Sequence, residues 1–178
     1  MPGDFGLLRS MFRECYGTFN RAAEAINEEE FCGYTPSTVS MGWTLLHLTG
    51  LLEWISCVVT GLPTTAPAHI LDNFRGGEDV DATQPISLAK PEIIQLFVSA
   101  QTRYLSILDA NPPFDVKSPI SDDGARILFP NVGSLLAAVV SQGFFHLGQM
   151  SVSTPTLKND QSLTMPTEYK DGQLIVPE

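Results

Sequence analysis

The residues of this 178-residue chain best suited to chemistry are two of its three histidines. His47 lies in Trp43-Thr44-Leu45-Leu46-His47-Leu48-Thr49-Gly50, and His146 in Ser141-Gln142-Gly143-Phe144-Phe145-His146-Leu147-Gly148-Gln149. Both surroundings are apolar. Gln142 stands four residues before His146, so on a helix both project from one face. This is the geometry of an H-x-x-x-H pair with Gln in the first place. Neutral imidazole is a good nitrogen ligand for Zn, Ni, Fe or Cu, whereas an amide oxygen is harder and weaker. His47, Gln142 and His146 therefore form a candidate metal-ligand set that holds a divalent ion less tightly than three histidines. The competing reading is two core histidines, each hydrogen-bonded to a neighbour. Glu53, six residues after His47, is expected to point elsewhere. His69 falls in a long connection and is either a surface histidine or a group folded over the site.

Four helical segments must position these groups, and they imply an all-α fold. The first runs from about residue 4 to 29, with Leu8, Met11, Phe12, Cys15, Phe19, Ala22, Ala23 and Ile26 at helical spacing. Its Glu28-Glu29-Glu30 run sits at the wrong end for the helix dipole and reads as a solvated terminus. The second, from about 40 to 60, has Ser37, Thr38 or Ser40 as cap and Gly61 with Pro63 as stop. The third, from about 90 to 110, carries Pro91 in its first turn and ends at Asn111-Pro112-Pro113. The fourth, from about 132 to 153, is capped by Asn131 and stops before Pro155. The connections 61–87 and 111–130 suit crossing links or lids. The expectation is one domain over 1–178: a four-helix bundle over about 4–153 with long crossover connections, then an irregular tail over 154–178. An Asp171-Gly172 turn signal in that tail allows a small hairpin.

Charge is scarce and unevenly placed. Twenty acids oppose ten bases, for a net charge of −10. Such a balance opposes a phosphate-backbone binder and docking on anionic lipid. From Phe31 to Leu71 the only charged side chain is Glu53, and none occurs between Arg126 and Lys158. Such runs raise the question of a membrane hairpin. The polar residues within them and the absence of flanking Lys and Arg oppose it. The expectation is instead that the second and fourth helices are buried on nearly every side, with a second subunit covering what the bundle leaves open, hence a homodimer. Cys15, Cys32 and Cys57 are odd in number and form no C-x-x-C, and the N-terminal stretch lacks the pattern of a signal peptide, so a reducing cytoplasm is expected. Cys15 and Cys57 read as small buried hydrophobes.

The segment Ser40–Thr49 resembles the second helix of the DinB/YfiT-like superfamily. Gly143–Val152, with His146-Leu147-Gly148-Gln149-Met150, resembles the His-x-Gly-Gln-Ile signature of its last bundle helix. The resemblance implies a four-helix bundle, often dimeric, with a three-histidine metal site. His47 and His146 match ligand positions and Gln142 replaces the remaining one. It further implies a metal-dependent enzyme acting on a small molecule, a thiol S-transferase or isomerase or a hydrolase. The alternative is a non-catalytic bundle that binds a ligand or partner and carries a degenerate site.

Overall fold

The computed structural model describes residues 5–33, 39–74, 86–110, 114–160, 168–170 and 173–175. Four long helices dominate: α1 (Gly6–Ala25), α3 (Met41–Thr60), α5 (Lys90–Leu108) and α7 (Val132–Ser153). Between and after them lie the short α2 (Glu28–Cys32), α4 (Ala68–Asn73), α6 (Asp123–Leu128) and α8 (Pro155–Asn159). The fold is all-α. Helix α3 packs on α5 and α7, and α1 packs on the same two. Together they enclose one core, where Tyr16, Phe19, Leu46, Phe97, Tyr104 and Leu136 are fully buried.

Local chemistry sets the helix ends. Among the cap candidates of α3 it is Ser40 whose Oγ accepts from Trp43 N at 3.1 Å; Ser37 and Thr38 lie outside the described residues. Gly61 ends α3 at φ +70°, a left-handed position that suits a residue without Cβ. Asn131 Oδ1 accepts from Ser134 N at 2.9 Å and opens α7. Glu92 Oε2 accepts from Ala89 N at 2.9 Å and fixes the start of α5. The tail carries strands β1 (Glu168–Lys170) and β2 (Gln173–Ile175), antiparallel with Lys170 opposite Gln173, a two-residue connection at the Asp-Gly signal.

Three expectations need correction. The first helix does not continue to Glu29. Ile26 is extended, and Asn27 caps a new helix by accepting from Glu30 N at 2.9 Å. Glu28, Glu29 and Glu30 thus occupy a first turn, where the dipole favours them. Glu30 also accepts from Thr156 N and Oγ1, at 2.7 and 2.6 Å, tying α2 to α8. Met11 is exposed rather than inward, and Cys57 is only half-buried. Finally, the two charge-poor helices differ. Both are long and apolar enough to cross a membrane, but the most apolar window of α3 is 67% buried and that of α7 only 39%. Helix α7 leaves one face uncovered, where Phe145 is 58% and Val152 71% exposed.

Candidate functional site

The groups of interest meet where α3 and α7 face one another. Helix α7 is fixed in rotation by Gly143. A Cβ there would come within 2.8 Å of both Cys15 Sγ and Tyr16 Cε2, so α1 and α7 touch through a residue with no side chain. Tyr16 Oη donates to the Val139 carbonyl at 3.2 Å on the same contact. With Gly143, Leu147 and Met150 turned to the core, the Gln142–His146 edge is turned toward α3. Thr44 and Met150 add a cross-helix contact, Oγ1 to Sδ at 3.7 Å.

The rings of His47 and His146 lie edge to face, centroids 5.0 Å apart and planes at 72°. Trp43, one turn before His47, stacks on it at 5.1 Å and 12°. Nδ1 of His47 lies 2.9 Å from the Phe74 carbonyl oxygen, just past α4. Nδ1 of His146 lies 2.9 Å from Gln149 Oε1. Both oxygens only accept, so both Nδ1 atoms carry the proton and both Nε2 atoms keep a lone pair. Burial pushes His47 below its ordinary pKa, partly opposed by the Phe74 carbonyl. Burial, then the neighbouring His47, push His146 down to about 4, against the hydrogen bond to Gln149. The two imidazoles are therefore neutral at pH 7, the form that ligates metals.

Gln142 is exposed and lines, with His47, an open groove of about 640 Å³. The structure thus places His47 beside His146, and Gln142 beside His47 on the groove wall. Glu53 points elsewhere. It is 1% exposed, accepting from Arg103 Nη1 at 2.8 Å and from Thr65 N and Oγ1 at 2.7 and 2.6 Å. His69 is exposed on α4 and does not line the groove. Among the described residues no three His, Cys, Asp or Glu gather as a metal-binding group.

Two supporting groups were assigned no role from the sequence, although Gln149 belongs to the signature-like segment that begins at His146. Gln149 sits three residues after His146, a spacing at which helical side chains meet, and that spacing is a usable signal. The Phe74 carbonyl is a backbone group 27 residues from His47 and leaves no trace in residue type. No protein-family model, curated protein or solved structure matches this chain.

Proposed function

We propose that this chain is a divalent-metal-binding helical protein of the DinB/YfiT-like kind, with His47 and His146 as the nitrogen ligands and Gln142 as a weaker oxygen ligand. One observation carries the reading. Two neutral imidazoles lie with ring centroids 5.0 Å apart, each with its Nδ1–H held by an oxygen and a lone pair left on Nε2. Metal-bound histidines characteristically donate their other ring N–H to such an oxygen. Imidazoles sharing one ion at Zn–N distances of about 2.0–2.1 Å have centroids about 5 Å apart. Bound there with open positions, a Ni, Zn or Fe ion would bind a thiol as thiolate or polarise a carbonyl or water. That chemistry serves a thiol S-transferase or isomerase, or a hydrolase. The chain's own contribution is to hold the rings in one tautomer through Phe74 and Gln149.

The test is metal analysis of untagged protein, followed by calorimetric titration with Ni and Zn. Uptake is expected, and His146→Ala removes it. No stoichiometric metal and no uptake would sink the proposal. The second reading is a non-catalytic helical protein in which the two rings are an edge-to-face contact and the metal site has decayed. The favouring observation is Gln142 itself, a neutral amide at the third position. Under that reading His146→Ala lowers stability without altering any response to metal.

The same reading includes a homodimer. Helix α7 exposes Phe145 by 58% and Val152 by 71% on a charge-free stretch, which supports burial against a second copy. Sedimentation velocity tests this, and a monomer at micromolar concentration refutes it.

A further inference from the structure

The groove beside His47 has a composition of its own. One wall is Leu51 and Trp54 from α3; the floor is Ala137 and Ala138 from α7. Phe129, just past α6, closes the far end, its ring 6.4 Å from that of Trp54. The two alanines are what make the space, since any larger side chain at those positions would occupy it. Leu128 stands at the rim 68% exposed, an apolar side chain left in water. About 640 Å³ lies within the usual range for small-molecule sites.

Polarity is graded along the groove. The Ser134 hydroxyl, near Phe129, is already tied to Asn131 through the helix cap. At the opposite end Ser141 Oγ donates to the Ala137 carbonyl at 3.3 Å and keeps its lone pairs for a donor. Gln142 and His47 stand at that same end. No charged side chain lines the groove among the described residues, in a chain of net charge −10. A charged guest would lose hydration without gaining a counter-charge. A hydrogen-bonding head on an uncharged apolar body would lose nothing of the kind.

We infer that this groove binds a small uncharged molecule with a flat apolar body and a polar head, the body against Trp54 and Phe129 and the head at Gln142 and His47. Where the metal reading holds, this guest is the substrate, with its head beside the ion. The inference rests on that reading for reactivity only, not for binding. The test therefore uses metal-free protein in EDTA and three probes sharing one ring system: a naphthol, a naphthoate and a naphthylmethylamine. Saturation-transfer NMR and calorimetry give the affinities. The naphthol is expected to bind saturably, and the anion and cation about tenfold or more weaker. Ala137→Phe fills an exposed position on the floor and should weaken naphthol binding about tenfold, with an unchanged circular dichroism spectrum and melting temperature. Equal affinity for the charged probes, indifference to Ala137→Phe, or no saturable naphthol binding each overturns the inference. Failure of the metal reading shows separately, as no Ni or Zn uptake in the same preparation.

Discussion

Replacing Gln142 by His is the most informative single change. Gln142 is exposed on the groove wall, one helical turn from His146, so the substitution by itself should move stability by no more than about 0.5 kcal/mol. Its effect lies in the ligand set. Two neutral imidazoles stand 5.0 Å apart, and Gln142→His adds a third in place of an amide oxygen. If that tightens metal binding about 100-fold, the gain is about 2.7 kcal/mol. Stability reports it through linkage. Free Ni held at about 100 times the variant's Kd stabilises the variant by about 2.7 kcal/mol, while the native chain at the same concentration gains about 0.4 kcal/mol. The difference, about 2.3 kcal/mol, corresponds to about 5–9 °C in Tm for a chain of 178 residues. Calorimetric scans of untagged protein, with Ni and with EDTA, measure it. Adding His146→Ala to the variant should abolish the shift. A Gln142→His variant that melts identically with Ni and with EDTA would show that position 142 does not share an ion with the two histidines.

Other consequences are accessible to routine measurement. Gly143→Ala places a Cβ 2.8 Å from Cys15 Sγ and Tyr16 Cε2 and should cost about 1–3 kcal/mol in urea unfolding. Gly148→Ala meets nothing within 4 Å and should stabilise by about 0.5–1 kcal/mol through helix propensity. Opposite signs are required; equal effects would show that α1 and α7 do not touch as described. Arg103→Leu leaves the carboxylate of Glu53 buried without its cation and should cost about 3 kcal/mol, whereas Arg103→Leu with Glu53→Leu should cost less than the single change. Burial pushes the Cys15 thiol up to about 12, so iodoacetamide at neutral pH should label half-buried Cys57 first and Cys15 only on unfolding. In metal-free protein, His146 has a folded pKa of about 4 against an ordinary 6.5, so its stability contribution is whole above pH 6.5 and is lost as pH falls towards 4. The stability difference between native protein and His146→Asn, followed by urea unfolding from pH 7 to pH 5, should shrink in that direction.

Much of the fold was legible because periodicity and caps agree. Ser40, Gly61 and Asn131 each mark a boundary that the backbone obeys, and the two tail strands pair on either side of the Asp171-Gly172 signal. The missed helix break has one cause. Apolar residues such as Ile26 continue a helical pattern across a break, and only the capping side chain of Asn27 shows that a second helix starts there. The site was half legible. The two histidines and Gln142 stand out as polar groups in charge-free runs, but the oxygens that fix the ring tautomers come from a backbone carbonyl and a Gln. The apolar groove was illegible, since Trp54, Phe129 and Ala137 acquire meaning only when α3 meets α7.

The two charge-poor helices are charge-poor for different reasons. Helix α3 is a core element, touched by α5 and α7 and by the short α2 and α4, so a charge on it must be paired internally, as Glu53 is by Arg103. Helix α7 is covered far less and has room for charge on its open face. Burial therefore does not explain why it carries none. What the open side of α7 does present is Ala137, Ser141 and Gln142 along the groove, then Phe145 beside His146 and Val152 near the helix end. Both surfaces are apolar with neutral polar groups between them, the composition needed to meet an uncharged guest and a second copy of a chain whose net charge is −10. A single charge placed there separates the two roles. Ala137→Lys should abolish naphthol binding and leave the proposed dimer intact, while Val152→Lys should dissociate that proposed dimer and leave naphthol binding intact. A variant that loses both together would mean that the groove exists only within the dimer.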